Sequence, residues 1–238
     1  MTDNIKKFQQ LIDESKSIVF FGGAGVSTES NIPDFRSDDG IYNKKFDYPP
    51  EVMLSHSFYK NHTEEFFDFY RTMLFPNAQP NPAHLKLAQW EKEHKLKAIV
   101  TQNIDGLHQK AGSKNVYELH GSVKRNYCEK CHQFYDENAV LSCKGVPLCH
   151  CGGTIKPDVV LYEEGLDNQV INGAVQAIKN ADMLIVGGTS LVVYPAAGLI
   201  TYYTGNKLVL INRDSTSYDS KADLIFHDKI GEVLSQLK

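Results

Sequence analysis

Ile18-Val19-Phe20-Phe21-Gly22-Gly23-Ala24-Gly25-Val26-Ser27-Thr28-Glu29-Ser30-Asn31-Ile32-Pro33-Asp34-Phe35-Arg36-Ser37 opens with four apolar residues, β-branched or aromatic, closed by Gly22 and Gly23. That is the pattern of a buried strand ending in a tight turn. Gly23-Ala24-Gly25 lets a backbone approach a ligand closely, and a helix starting near Val26 would aim its unpaired N–H groups at a pyrophosphate. The dinucleotide fingerprint asks for a third Gly at position 28, where this chain has Thr28, so the loop by itself reads equally well as a bare strand-to-helix turn. Ile32-Pro33-Asp34-Phe35-Arg36-Ser37 is too polar and too Pro-broken to continue a helix. It brings an acid, an aromatic ring and a guanidinium beside the expected phosphate site.

With 238 residues and 42% hydrophobic content, the chain suits one large domain, alone or with a small satellite. Its 25 Lys and Arg against 29 Asp and Glu give a net charge of −4, which offers no global attraction to nucleic acid or to an anionic membrane. Within residues 1–16, Ile5, Phe8, Leu11 and Ile12 fall at helical spacing and predict an amphipathic surface helix rather than a signal peptide. No apolar run approaches the roughly 20 residues a membrane span needs. A cytoplasmic protein, monomeric, with no nucleic-acid or membrane partner, is expected.

Further along, residues 38–50 have no sustained period and read as a ligand-covering segment, whereas 57–74 show an aromatic helical face that should pack on the core. Residues 97–101 form a second buried strand running into Gln102-Asn103-Ile104-Asp105-Gly106. Polar residues just past a strand's C-terminal end are where open α/β sheets bind ligands, although Asn and Asp also favour such turns for backbone reasons alone. The short segment 116–119 delivers His120-Gly121; strand 182–186 ends in Gly187-Gly188-Thr189-Ser190; strand 207–211 is closed by Asn212-Arg213-Asp214. All five cysteines lie between Cys128 and Cys151, a clustering that favours metal over disulfides. Cys128 and Cys131, then Cys149 and Cys151 after 17 intervening residues, make two thiolate pairs able to converge on zinc. Only His150 separates the second pair, so Cys143 is an alternative to one of its members, and His132 or His150 an alternative nitrogen donor. The favoured set is Cys128, Cys131, Cys149 and Cys151, a closed structural site; a redox or catalytic thiol site is the competing use. Strands alternating with helices predict an α/β fold whose mostly parallel, doubly wound sheet carries helices on both faces. Residues 1–121 and 157–238 form this discontinuous domain, residues 122–156 an inserted zinc-binding module, and the cleft between them the ligand site.

Gly23-Ala24-Gly25-Val26-Ser27, Ile32-Pro33-Asp34-Phe35-Arg36-Ser37, Thr101-Gln102-Asn103-Ile104-Asp105, His120-Gly121, the four-cysteine module, Lys156-Pro157-Asp158-Val159-Val160, Gly188-Thr189-Ser190 and Ile211-Asn212 follow the order that marks the sirtuin family. The chain resembles a compact bacterial-type sirtuin from about residue 3 to 236. The resemblance implies a Rossmann-like domain plus a zinc module, with NAD and Zn as cofactors and acetylated lysine-containing proteins as partners. The implied activity is NAD-dependent removal of acyl groups from lysine, releasing nicotinamide and O-acetyl-ADP-ribose. By the same resemblance His120 is the general base on a ribose hydroxyl, and Asn103 shares in catalysis. Asp105, with Asn103 and the backbone at Ile104, would hold the nicotinamide carboxamide. Gly23, Ala24, Gly25 and Thr28 would surround the phosphates; Phe35 and Arg36 would cover the nicotinamide ribose and order on ligand binding, with Gln102 beside it. Gly188, Thr189, Ser190, Asn212 and Asp214 fall to the adenosine side. Val159, Val160, Leu161 and Val193 would clamp the substrate peptide as an added strand.

Two positions depart from the family pattern. Leu161-Tyr162-Glu163-Glu164-Gly165 stands where an aromatic pair followed by Gly-Glu is common. Members that take dicarboxylic acyl groups carry a Tyr and an Arg three residues apart; Arg71 matches the Arg, on the acyl side of the substrate, but Asp68 occupies the Tyr position. A carboxylate there would repel an acidic acyl chain, so acetyl is expected over succinyl. Some relatives use the same NAD site for mono-ADP-ribosyl transfer to protein, which is the alternative reading; His120-Gly121 favours deacylation.

Overall fold

The computed structural model describes residues 2–34 and 48–238. Its strands are β1 (Ile18–Gly22), β2 (Leu96–Thr101), β3 (Val116–Glu118), β4 (Gly121–Cys128), β5 (Phe134–Tyr135), β6 (Ile155–Val159), β7 (Met183–Gly187), β8 (Leu208–Ile211) and β9 (Leu224–Phe226). The helices are α1 (Asp3–Asp13), α2 (Pro50–Met53), α3 (His56–Asn61), α4 (Thr63–Arg71), α5 (Pro82–Lys92), α6 (Leu107–Ala111), α7 (Asn138–Leu141), α8 (Asn168–Lys179) and α9 (Ile230–Leu234). None of the helices among the described residues is long and apolar enough to cross a membrane.

Successive side chains of a strand point to opposite faces, so a strand buried on both sides must be apolar throughout. β1 meets that demand. Ile18 and Phe20 join α1, α5 and α9 in one core through Phe8, Leu87, Trp90 and Val233. Val19 and Phe21 face Ala174 and Ile178 of α8, with Ala197 and Ile200 of a 3₁₀ segment, Ala196–Tyr202, in a second core. The six-stranded sheet runs β3-β2-β1-β7-β8-β9, all neighbours parallel. The chain therefore winds outward from β1 in one direction and resumes on its other side at β7. The doubly wound sheet with helices on both faces is as the sequence predicts.

β5-β4-β6 make a small antiparallel sheet, whose pairing extends from Gly121 to Val159. The aromatic helical face is buried in a core, as expected, but that core is the small sheet's rather than the large one's. Phe58, Tyr59, Phe66, Phe67 and Tyr70 bury themselves with Val123, Val140, Val159 and Leu161, so α3 and α4 belong to the smaller lobe. The single helix anticipated there is broken at His62, whose backbone (φ −134°, ψ 52°) is non-helical.

After β1 the structure also departs from expectation. Among the described residues no α-helix directly follows the glycine loop; two 3₁₀ turns, Ala24–Val26 and Thr28–Ser30, take its place. Thr28 Oγ1 donates back to the Gly25 carbonyl at 3.0 Å, and Asn31, left-handed at φ 61°, ends the second turn. Short polar side chains that satisfy nearby backbone groups compete with helix propagation.

Candidate functional site

The C-terminal ends of β1, β2, β7 and β8 meet where the winding direction changes, the position at which open α/β sheets leave a crevice. Two small-residue loops close its floor. Gly25 N–H donates to the Gly188 carbonyl at 2.8 Å, and Gly188 N–H to that of Ile211 at 3.0 Å. Gly188 has φ +60°, and a Cβ on it would lie 2.3 Å from the Val26 nitrogen, so only glycine permits this contact.

A cavity of about 440 Å³ opens above this floor, between the two sheets. Its lining brings together Gly23, Ala24, Gly25, Gln102, Asn103, Ile104, Asp105, His120, Val159, Val160, Leu161, Gly188, Thr189, Ser190, Val193, Asn212 and Asp214. One polar chain crosses it at the β2 end. Asn103 Nδ2 donates to Ser27 Oγ at 3.1 Å, and Ser27 Oγ donates to Asp105 Oδ2 at 2.7 Å. The other carboxylate oxygen, Oδ1, accepts the Leu107 N–H at 2.8 Å. Asp105 is thereby held with one edge toward α6 and the other toward Ser27. A second chain spans the β2, β7 and β8 loops: Gln102 Nε2 donates to Thr189 Oγ1 at 3.0 Å, and Thr189 N–H to Asn212 Oδ1 at 2.8 Å. Asn212 Nδ2 is buried and has no partner among the described residues, a donor left for a ligand with acceptor oxygens or nitrogens.

His120 Nδ1 lies 3.0 Å from the Gln102 carbonyl oxygen. A carbonyl only accepts, so Nδ1 carries the proton and Nε2 presents a lone pair. Burial lowers the imidazole pKa below its ordinary 6.5, and the Gln102 carbonyl offsets part of that shift. The ring is neutral and basic near pH 7. The turn that delivers it depends on Gly121, at φ +73°, where a Cβ would fall 2.0 Å from the Asp158 carbonyl.

Three sets of expected residues stand outside the described lining. Thr28 does not line the cavity; its hydroxyl serves its own loop, and Ser27, between the two 3₁₀ turns, takes the inward place. Arg71 is not part of the lining either. Its Nε donates to the Val140 carbonyl at 3.0 Å and its Nη2 to that of Gly145, while Nη1 pairs with the exposed Asp68 at 3.2 Å. This places both residues against the outer loops of the small lobe. Phe35 and Arg36 lie outside the described residues. Conversely, Leu54, Met73, Phe75 and Val123 line the apolar end of the cavity, beside a Lys124–Glu137 pair at 2.6 Å. Leu54, Met73 and Phe75 sit in segments whose periodicity marks them only as apolar, with no signal separating a cavity wall from a core.

Cys128, Cys131, Cys149 and Cys151 bring their sulfurs within 4.8 Å of one another. Tetrahedral zinc with bonds of about 2.3 Å needs sulfurs roughly 3.8 Å apart, and Cys128–Cys151 and Cys131–Cys149 stand at 3.4 and 3.6 Å. Four thiol donors in this arrangement fit zinc and complete its coordination. Lys130 and Cys131 N–H groups both point to Cys128 Sγ at 3.4 Å, as a thiolate in a knuckle requires. Cys143 stays outside the cluster, its thiol directed at the Lys144 and Val146 carbonyls.

The model of the Sir2 family matches residues 23–195. An NAD-dependent protein deacetylase of Clostridium acetobutylicum is 64% identical over 239 residues, covering 98% of this chain and 98% of that protein. A Staphylococcus aureus (strain N315) protein of the same name is 42% identical over 240 residues, covering 100% and 99%. Among solved structures, a Sir2 complex with deacetylated p53 peptide and 3'-O-acetyl ADP ribose superposes with a TM-score of 0.90 at 39% identity, covering 98% of this chain and 96% of that one. A Sir2–p53 peptide–NAD+ complex gives 0.86 at 40%, covering 98% and 96%. Identity of this extent over nearly the whole length, on the same fold, leaves one conclusion: the chain belongs to the Sir2 family.

Proposed function

We infer that the chain is an NAD-dependent protein-lysine deacetylase. The observation that carries this reading is the placement of His120, its Nε2 lone pair set by the Gln102 carbonyl, in the same cavity as the Asp105–Ser27–Asn103 chain and the Val159 and Val160 strip. NAD supplies nicotinamide as leaving group and the ADP-ribosyl acceptor of the acetyl group. Asp105, Asn103 and the Ile104 backbone orient the nicotinamide carboxamide, with Ser27 fixing the Asp105 carboxylate. His120 removes a proton from a ribose hydroxyl through Nε2. Gly23, Ala24 and Gly25 admit the phosphates, and Gly188, Thr189, Ser190, Asn212 and Asp214 hold the adenosine side. Val159, Val160, Leu161 and Val193 receive the peptide. Zinc has no reacting position and serves structure. We assign residues 1–121 and 157–238 to the cofactor-binding domain and 122–156 to the zinc module, with α3 and α4 of the former packed on the module's side. We place the enzyme in the cytoplasm as a monomer: its cysteines are grouped for metal rather than for disulfides, and one chain supplies both walls of the cavity.

We propose a preference for acetyl over succinyl, on a different footing from Asp68. Leu54, Met73, Phe75 and Val123 offer an apolar wall, and the cations among the described lining residues, Lys124 and Arg213, are each engaged by a carboxylate, Glu137 and Asp34. A second carboxylate on the acyl chain would be buried without a partner, at a cost on the order of 1–3 kcal/mol or more. Acetyl should therefore exceed succinyl by at least about tenfold in kcat/KM. Matched acyl-lysine peptides with ribose-labelled NAD, followed by mass spectrometry, test both statements. Label in O-acetyl-ADP-ribose is expected; label retained on protein would indicate ADP-ribosyl transfer instead, and a succinyl preference would overturn the acyl assignment.

A further inference from the structure

The proposed base lies in the turn between β3 and β4, its carbonyl accepting the Val160 N–H at 3.0 Å, and one side chain outside the cavity ties together the two sheets that flank this contact. β4 and β6 pair at Gly121↔Val159 and Ser122↔Asp158, and again at Asn126↔Pro157, so Val123, Lys124 and Arg125 bulge out between the two registers. A bulge re-aims the side chains it carries. Val123 and Lys124 line the cavity, and Arg125 does not. Its Nε donates to Asp158 Oδ2 and its Nη1 to Glu118 Oε2, both at 2.7 Å. Glu118 closes β3 of the large sheet two residues before His120, and Asp158 directly precedes Val159 on β6 of the small one. The Glu118 side chain is only 9% exposed, so its carboxylate depends on this guanidinium rather than on water. Burial works against the charge on Arg125, but the two carboxylates outweigh it and hold its pKa above the ordinary value.

We propose that Arg125 is a positioning residue for deacetylation, bracing the backbone contact between His120 and the Val159 and Val160 strip by holding Glu118 and Asp158 on one guanidinium. The inference rests on the roles given above to His120 and to that strip. A planar fork with separate N–H groups serves two carboxylates at once; an ammonium on a flexible stem does so without fixed geometry.

The test compares R125Q, R125K and the double variant E118Q/R125Q with wild type and H120A, using an acetyl-lysine peptide, NAD and thermal unfolding. R125Q should raise the peptide KM about tenfold and lower kcat, with the KM for NAD within about twofold, the size of coupling expected between contacting groups. R125K should recover only part of this. Removing the stranded carboxylate in E118Q/R125Q should restore thermal stability while the peptide KM stays raised, a split that a merely structural role does not produce. Wild-type kinetics for R125Q below its unfolding temperature, or for R125K if R125Q does not fold, would overturn the proposal, as would recovery of both stability and kinetics in the double variant. An active H120A would refute the base assignment separately; wild-type-like R125Q beside inactive H120A would refute the positioning role alone.

Discussion

His120 is poised by two neighbours of opposite effect: burial pushes its pKa down, and the Gln102 carbonyl, by accepting the Nδ1 proton, pulls partly back. Neutral imidazole is the reactive form, so activity should be full near pH 7 and decline only once the pH falls below about 6.5, the ordinary histidine value. A pH profile of kcat/KM checks this; an acid limb centred above pH 7 would contradict it. His120→Ala should cost about 10²–10⁴-fold in deacetylation while NAD binding, followed by calorimetry, changes little. Retained activity would remove His120 from the mechanism. At this scale the sequence came close without being complete. The family resemblance sets Thr28 beside the phosphates; in this loop of two 3₁₀ turns it is Ser27, between them, that turns inward onto Asp105.

Among the elements, the zinc-bearing sheet is the one least able to hold itself together. β5 is two residues long, and the core nearest the sulfurs consists of Cys128, Cys149 and Ile155 with Tyr135, Ala139 and Cys151 at its edge. So small an apolar cluster needs metal to persist. Chelation, or Cys128→Ser, should lower stability by about 3–5 kcal/mol, or roughly 10 °C in Tm. β4 carries both Cys128 and Val123, so the cavity wall should loosen as a consequence, and activity should follow stability rather than precede it. Calorimetry with and without chelator decides; an unchanged Tm would show that the four thiols do not hold a stabilising ion. The cysteine spacing made this element legible from the sequence alone. The allegiance of α3 and α4 was not, because periodicity reports that a face is buried and not which sheet buries it.

At the scale of the molecule, α5 and α6 bring His84 and His108 together beneath the cavity, ring centroids 4.8 Å apart and both side chains buried. Burial lowers the His84 pKa to about 4, with Asp105 opposing the shift; burial, then the neighbouring His84, holds His108 well below 6.5. Both rings are neutral in the folded protein, whereas the unfolded chain protonates them near pH 6.5. Between that value and about pH 4 the unfolded state binds more protons, so stability rises with pH and is lost as pH falls through this window, by up to about 1.4 kcal/mol per pH unit for each histidine. Urea midpoints should fall from pH 7 to pH 5, and His108→Gln should flatten the slope. Equal stability at the two pH values would contradict the assignment.

What the sequence by itself determined was local in origin: the apolar strands, the polar loops at their C-terminal ends, the paired cysteines, and the order of motifs that the Sir2 family shares. Alternation, turn chemistry and ligand spacing are written in neighbouring residues, so they can be read without coordinates. Tertiary structure alone decided that Ser27 rather than Thr28 faces the cavity, that Arg71 braces an outer loop, that the aromatic helices join the smaller lobe, and that a bulge sends Arg125 to Glu118 and Asp158. Each of these depends on where separate segments meet. The direction of a side chain is set by the packing and register of segments distant in sequence, and no local pattern encodes it.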